Sequence, residues 1–296
     1  MPVDKAARQR GISLVLLATV LWSLAGFFAR LIDHLDLWTM LCGRAFFGGL
    51  CISAWAIVEW RRGALGPRLG LGPAALLVIP VSATAITCYV AAIKTTTVAD
   101  VLVIYATLPF VAAGLAFLIA GERASRRTII AAGAALCGVV VMVAGGLGGG
   151  RLLGQGLSML MTLTFGLMVV LQRRRPRMSM TSINAIAALV ASAFAFHFSP
   201  LPPLSAYDVA ILFLFGLTTI CLAFVIFMEG AKHIPAAEAG LISMLDVVIG
   251  PLWVFLGFGE NPGLPAIIGG VIVLSAVIWR VAPELSRARA LVDARA

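Results

Sequence analysis

Ten runs of apolar residues, separated by short polar stretches, fill almost the whole chain of 296 residues. A helix of about 20 apolar residues is long enough to cross the hydrocarbon layer of a bilayer. The pattern therefore predicts ten transmembrane helices, called spans 1 to 10, and leaves little chain for a soluble domain. The predicted spans cover residues 11–31, 38–58, 72–93, 98–120, 127–146, 153–171, 181–198, 206–229, 238–257 and 264–280.

Composition supports this interpretation, since 61% of the residues are hydrophobic, 12% are charged and the mean hydropathy is +1.05. A water-soluble protein of this size does not carry so much apolar side chain, so an all-α integral membrane protein is expected. Span 1 is too long for a signal-peptide core and is interpreted as a retained helix. The five cysteines fall within spans at spacings that fit no metal site, and no metal or cofactor is predicted.

The basic residues are distributed unevenly about the predicted spans. Of the 22 Lys and Arg residues, eighteen precede span 1, follow span 10 or lie in the loops on that same face. By the positive-inside rule this face is cytoplasmic, and both termini lie there. The net charge of +9 is thus explained by topology rather than by nucleic-acid binding. We expect a multi-pass protein of a bacterial-type inner membrane that functions as a monomer.

Two Gly-Glu pairs, Gly121-Glu122 after span 4 and Gly259-Glu260 after span 9, are 138 residues apart. Five spans separate them, so they lie on opposite faces of the membrane. Further positions align at offsets of 138 or 143: Lys94 with Lys232, Asp100 with Glu238, Gly11 with Gly154, and Trp22 with Phe165.

This alignment predicts two inverted five-helix repeats with a substrate site between them near the bilayer midplane. The first repeat is assigned to residues 1–146 and the second to residues 153–282. Between them lies a Gly-rich periplasmic linker at 147–152, and a cytoplasmic tail covers 283–296.

Two ionisable residues lie well inside spans, Arg44 in span 2 and Asp246 in span 9. A charge in hydrocarbon costs about 2.5 to 3.5 kcal/mol on insertion scales, so each is expected to face a protein interior or a wet cavity. Arg44 is suited to bind a carboxylate, and Asp246 to bind an ammonium group or carry a proton. Alternatively, either residue holds neighbouring helices together.

Aromatic and small polar side chains inside the spans complete the predicted site. Trp22, Tyr89, Tyr105 and Phe165 are candidates for stacking on a flat substrate, although core or lipid-facing packing is the alternative. The polar residues nearby that could supply hydrogen bonds to a substrate are Ser23, Thr84 and Ser243.

Movement is assigned to prolines and to the helix ends. Pro109 and Pro251 each remove a backbone hydrogen bond within a span and are candidate hinges. Glu122 and Glu260 end helices at the two membrane faces, where gating or capping fits them better than substrate contact. Glu229 and Lys232, three residues apart, are expected to pair on one helix face.

The chain resembles the EamA-type ten-helix branch of the drug/metabolite transporter superfamily. The residues that carry the resemblance are Trp22-Ser23, Arg44, Pro109, Gly121-Glu122-Arg123, Pro251 and Gly259-Glu260. It implies a secondary or facilitative exporter of small metabolites, above all amino acids. The second half departs from the pattern: Pro251 lies four residues beyond the counterpart of Pro109, and span 7 has no match for Arg44.

Trp22, Tyr89 and Tyr105 favour aromatic or large apolar amino acids, as carried by the aromatic amino-acid exporters of this superfamily, moved by alternating access. A nucleotide-sugar or sugar-phosphate carrier is the first alternative, but Arg44 is nearly the only basic residue placed to meet a phosphate. A multi-span enzyme is the second, and only the short run from Asp33 to Asp36 suggests it. A channel would need a ring of like charges or a carbonyl filter, and the sequence shows neither. The expected protein is therefore a carrier and not an enzyme.

Overall fold

The computed structural model describes residues 5–63, 71–73, 75–96, 98–143, 152–174, 178–200, 202–259 and 263–293. All regular structure within these ranges is helical, which confirms the predicted class. Eight helical stretches in them are long and apolar enough to cross a membrane, and Ala75–Tyr89 forms a shorter apolar helix.

The first half contains spans 1 to 5. Its helices are α1 (Lys5–Ser23) and α2 (Ala25–Leu31) in span 1, α3 (Leu37–Arg61) in span 2, α4 (Ala75–Thr95) in span 3, α5 (Val98–Tyr105) and α6 (Leu108–Ala120) in span 4, and α7 (Arg126–Val143) in span 5.

The second half contains spans 6 to 10, in the same order. Its helices are α8 (Leu152–Arg174) in span 6, α9 (Met180–Phe198) in span 7, α10 (Ala206–Gly216), a π-helical segment (Leu217–Leu222) and α11 (Ala223–Ala231) in span 8, α12 (Ala236–Ser243) and α13 (Asp246–Phe258) in span 9, and α14 (Gly263–Asp293) in span 10. The predicted linker lies outside the described residues except for Leu152, and α14 remains helical past residue 283.

Spans 4 and 9 break in the same way. α5 and α12 end 138 residues apart, at Tyr105 and Ser243, and α6 and α13 begin 138 residues apart, at Leu108 and Asp246. Each span therefore has an interruption of two residues at an equivalent level.

The helix ends that carry the Gly-Glu pairs are also equivalent. Gly121 and Gly259 both close their helix in the left-handed conformation, with φ of 66° and 69°. Their N–H groups donate to Phe117 and Phe255, which are again 138 residues apart. A left-handed C-cap favours glycine because it has no Cβ to clash, and this explains why the glycine recurs.

Contacts between the halves follow the same symmetry. Gly11 lies against His233, where a Cβ added to the glycine would come within 2.8 Å of the His233 Cβ. Gly154 lies against Thr95, where an added Cβ would come within 2.7 Å of the Thr95 Oγ1. Gly11 aligns with Gly154, and Thr95 aligns with His233. Span 1 thus packs on span 8 as span 6 packs on span 3, while spans 2 and 7, 4 and 9, and 5 and 10 pack on each other. The predicted two inverted five-helix repeats are confirmed.

Candidate functional site

A cavity of about 230 Å³ lies between the two repeats. Residues of eight spans line it, and spans 5 and 10 supply none of the described lining residues. Six of the nine residues predicted to bind substrate are in its wall: Trp22, Arg44, Tyr89, Tyr105, Phe165 and Asp246. Most of the remaining wall is apolar, so the few polar groups in it decide what the cavity can hold.

Arg44 is held by packing between α3 and α10. The added Cβ of an alanine at Gly216 would lie 2.5 Å from the Arg44 carbonyl oxygen, so the two backbones are in close contact there. The guanidinium carbon lies 4.8 Å from the centre of the Phe215 ring, within cation–π range. The buried Nε of Arg44 has no hydrogen-bond partner among the described residues. One face of this cation is therefore occupied by an aromatic ring, while hydrogen-bonding capacity remains.

Asp246 is the first residue of α13, directly after the break in span 9. A carboxylate at a helix N-terminus is stabilised by the free N–H groups and the helix dipole. Its buried Oδ1 has no hydrogen-bond partner among the described residues. Its counterpart in the first repeat is Leu108, which begins α6 at the same position, so the break itself does not require an acid.

Arg44 and Asp246 are both in the cavity wall, yet the structure forms no ion pair between them. Tyr89 lies close enough to both charges to interact with them electrostatically, and Tyr105 lies close enough to Asp246. The cavity wall therefore presents a guanidinium group and a carboxyl group that are not paired with each other.

Two aromatic rings of the cavity wall, Trp22 and Phe165, form a surface on which a flat solute can stack, and the fully buried Phe227 packs behind them. The ring centre of Trp22 is 5.7 Å from Phe165, edge to face, and 4.8 Å from Phe227, and Phe165 is 5.7 Å from Phe227. These distances are within the range of attractive aromatic pairs. We call Trp22 and Phe165 the aromatic wall.

The aromatic wall is anchored by the π-helical segment of span 8. The N–H of Ala223 donates to the carbonyl of Thr218, because hydrogen bonds in a π-helix reach back five residues. In an α-helix it would donate to Thr219, four residues back. The Thr219 carbonyl instead accepts the indole N–H of Trp22 at 2.8 Å. Trp22 is thereby fixed, and its only donor is used.

Three predicted binding residues lie outside the cavity wall. Ser23 donates to the Val20 carbonyl and accepts the indole N–H of Trp253 at 2.9 Å, which ties span 1 to span 9. Ser243 is fully buried and donates to the Gly240 carbonyl within its own helix. Thr84 is half-buried and does not line the cavity.

Besides Thr219, two polar residues of the cavity wall were not predicted, Ser82 of α4 and Asn184 of α9. Both are buried, and the Ser82 hydroxyl donates to Asn184 Oδ1 at 3.0 Å. A signal was available in the sequence, because an asparagine inside an apolar span is costly and needs a partner. The sequence could not indicate which partner it has.

The candidate hinges and gates lie near helix ends and breaks. Pro109 is in the first turn of α6, directly after the break in span 4, whereas Pro251 is inside α13. Glu122 is half-buried just after the left-handed Gly121. Glu260 lies outside the described residues.

A buried ion-pair network lies at the face of the bundle at which α1 begins, here called the terminus face. The carboxylate of Glu238, fully buried, accepts from Arg8 at 2.8 Å and from Arg280 at 3.0 Å. Arg280 also donates from Nε to Thr128 Oγ1 at 3.0 Å. This Glu238 network joins spans 1, 5, 9 and 10.

A second ion pair lies nearby in span 8. Lys232 donates to Glu229 at 2.6 Å with both side chains partly exposed, which confirms the pairing predicted from their spacing.

A model of the EamA-like transporter family matches residues 9–144 and 152–281, one stretch for each repeat. The fold is also similar to a solved crystal structure with a TM-score of 0.78, 18% sequence identity, and coverage of 92% of this chain and 96% of that chain. At that identity the likeness concerns the fold alone. No curated protein matches the chain.

Proposed function

Because this chain belongs to the EamA-like transporter family, we propose that it is a carrier of amino acids, with aromatic and large apolar ones as preferred cargo. The observation that carries the proposal is the placement of Arg44 and Asp246. The two charges are in the wall of one cavity, they do not pair with each other, and each has a buried polar atom without a partner.

A zwitterion complements these two charges. The planar guanidinium of an arginine matches the geometry of a carboxylate, and an aspartate attracts an ammonium group. A buried charge without a partner is costly, so binding of an amino acid would relieve the cost at Arg44 and Asp246 together. A solute with only one charge would relieve half of it.

The size and lining of the cavity support a single small solute. Its volume of about 230 Å³ is below the range of about 300–1,000 Å³ for sites of drug-sized ligands, which disfavours a nucleotide sugar. Arg44 is the sole cation among the described lining residues, whereas phosphate groups favour several. The aromatic wall adds stacking surface, which supports an aromatic or large apolar side chain.

Alternating access is the proposed mode of movement. The Glu238 network would close the terminus face in this conformation, and the arginine distribution supports assigning that face to the cytoplasmic side of a bacterial-type inner membrane. The paired breaks in spans 4 and 9 supply two points at which the helices can bend beside the cavity. Outward transport requires the Glu238 network to open to load cargo and to re-form as the opposite face opens.

The outer polar run from Asp33 to Asp36 has structural partners, which favours a loop over an enzymatic site. The Asp36 carboxylate caps α3 by accepting the N–H groups of Trp38 and Thr39. His34 Nε2 lies 3.0 Å from Asp208 Oδ1 at the start of span 8.

The test uses the purified full chain in liposomes. Labelled Phe and Trp are expected to enter liposomes that contain the protein faster than liposomes without it. Equal rates would refute the proposed cargo. Two analogues assign the charges: phenethylamine lacks the carboxylate, and 3-phenylpropionate lacks the ammonium group.

Each variant is expected to bind Phe more weakly but to bind equally well the analogue that lacks the charge its residue recognises. Arg44→Gln should weaken inhibition by Phe about tenfold or more and leave inhibition by phenethylamine unchanged. Asp246→Asn should likewise weaken inhibition by Phe and leave inhibition by 3-phenylpropionate unchanged. Repeating the assay with an imposed pH gradient distinguishes proton coupling from downhill transport, and a pH response that survives in Asp246→Asn would exclude Asp246 as the proton carrier.

A further inference from the structure

The hydrogen-bonded pair of Ser82 and Asn184 lies at a different level of the cavity from the two charges. The distance between the two levels can be read along α4, because Ser82 and Tyr89 of this helix both line the cavity. These residues are seven positions apart, two helical turns, which corresponds to about 10 Å along the axis. Ser82 donates to Asn184 at one level. Arg44, near Tyr89, lies at the other, since the carbonyl of Cys42, two positions before Arg44, accepts from Ser192 of α9, eight positions beyond Asn184. The cavity thus has two polar levels about 10 Å apart.

The wall between the two levels is apolar. Ala85 and Ile86 of α4 lie between Ser82 and Tyr89, and both line the cavity. Phe165 of the aromatic wall lines it from α8. A solute that reaches from one level to the other would therefore have a polar head, an apolar or aromatic middle and a polar far end.

The hydrogen bond from Ser82 determines what Asn184 can offer. Because Ser82 donates its only proton to Asn184 Oδ1, the asparagine amide is held in one orientation and its Nδ2 group remains as a donor. The oxygen of Ser82 keeps its lone pairs and can accept. At this buried level a donor and an acceptor therefore stand side by side.

We propose that Asn184, held by Ser82, determines specificity by binding a hydroxyl group at the far end of an aromatic amino acid. A phenol is the group that fits, since it can accept from Asn184 Nδ2 and donate to Ser82 Oγ at once. This inference rests on the proposed function, with the amino-acid head at Arg44 and Asp246, and it makes tyrosine a better substrate than phenylalanine.

The physical basis of the preference is the cost of an unmet polar group. Phenylalanine would place a ring C–H against Asn184 and displace water from an amide that then lacks a partner. A site built to bind a substrate hydroxyl discriminates strongly against the analogue without it. If the pair served only to hold α4 against α9, its loss would affect all substrates alike.

The experiment measures initial transport of labelled Tyr and Phe by the full chain in liposomes and compares their rates at low concentration. The wild-type ratio is expected to favour Tyr by about tenfold or more. Asn184→Leu, similar in shape without the polar groups, is expected to bring the ratio of Tyr to Phe transport close to one, because Tyr loses the partner of its hydroxyl group. Ser82→Ala should reduce the ratio in part, because the amide is no longer held in place.

Ser158→Ala is the matched control, since Ser158 is an equally buried serine that donates within its own helix and does not line the cavity. Equal transport of Tyr and Phe by the wild type would overturn the inference and leave the proposed function intact. Failure to move either would refute the proposed function instead. If Asn184→Leu cannot be purified, the wild-type ratio and the comparison of Ser82→Ala with Ser158→Ala decide, and equal effects of those two substitutions would also overturn it.

Discussion

Trp22 donates its indole N–H to the carbonyl oxygen of Thr219, 2.8 Å away, and so joins span 1 of the first repeat to span 8 of the second. The acceptor is available because the π-helical segment directs the Ala223 N–H to Thr218. The polar part of Trp22 is thus used within the protein, and the ring is what it presents to the cavity. Substitutions of Trp22 can therefore separate the effect of its hydrogen bond to Thr219 from the effect of its ring on cargo.

Trp22→Phe should keep a ring beside Phe165 and Phe227 but leave the Thr219 carbonyl without its donor. We expect it to lose about 1–3 kcal/mol of stability while still preferring aromatic cargo. Trp22→Ala should remove that preference, lowering Phe transport about tenfold relative to Leu transport. Rates for both labelled amino acids and thermal unfolding in detergent measure the two effects. An unchanged Phe-to-Leu ratio in Trp22→Ala would show that the ring does not contact cargo.

Glu238→Gln should strongly destabilise the terminus face, because it leaves Arg8 and Arg280 without their shared carboxylate. Breaking a buried ion pair costs about 3–5 kcal/mol. Glu229→Gln is the matched control, since its pair with Lys232 is partly exposed and such pairs contribute about 0–1 kcal/mol. Unfolding midpoints of the two purified variants provide the comparison. Similar midpoints would mean that the Glu238 network does not hold the four spans together.

Gly216→Ala should disrupt the contact between α10 and α3. Its Cβ would lie 2.5 Å from both the Arg44 carbonyl oxygen and the Gly48 nitrogen, and backbone atoms cannot move aside as a side chain can. We expect a loss of about 1–3 kcal/mol or more, together with displaced Arg44 and weaker transport. Gly114→Ala, within α6 where an added Cβ meets nothing within 4 Å, should be tolerated. Yield and transport of the two variants are compared, and equal tolerance would contradict the close approach.

Pro251→Ala should stiffen span 9. Pro251 lies inside α13, where proline has no N–H for the carbonyl of Val247 and bends the helix. Alanine would restore that hydrogen bond, so we expect a higher unfolding midpoint and slower transport. Pro109→Ala should change both quantities less, since a first-turn N–H has no partner within the helix in any case. Slower transport in Pro109→Ala alone would place the hinge in span 4.

Much of the architecture followed from the sequence because it depends on local properties. Apolar length predicted the spans, and the 138-residue offset of the two Gly-Glu pairs predicted the repeat. The offset recurs in the breaks of spans 4 and 9 and in the left-handed Gly121 and Gly259. Arg44 and Asp246 were recognisable because a charge within a span is costly wherever its partner lies.

The side-chain partners did not follow from the sequence. Ser82 and Asn184 are 102 residues apart, and Trp22 and Thr219 are 197 apart. Ser23 and Ser243, expected in the cavity, instead bond within the helix bundle.

The sequence by itself determined the number of spans, their duplication and inversion, and the presence of rare charges among them. The tertiary structure decided which residues share the cavity, which form the ion-pair network at the terminus face and which only hold helices together. The physical reason is that a membrane helix is apolar on its lipid-facing side and also on its protein-facing side. Hydrophobic periodicity therefore does not specify its rotation, and only packing against the other repeat turned Arg44, Asp246, Ser82 and Asn184 toward one cavity.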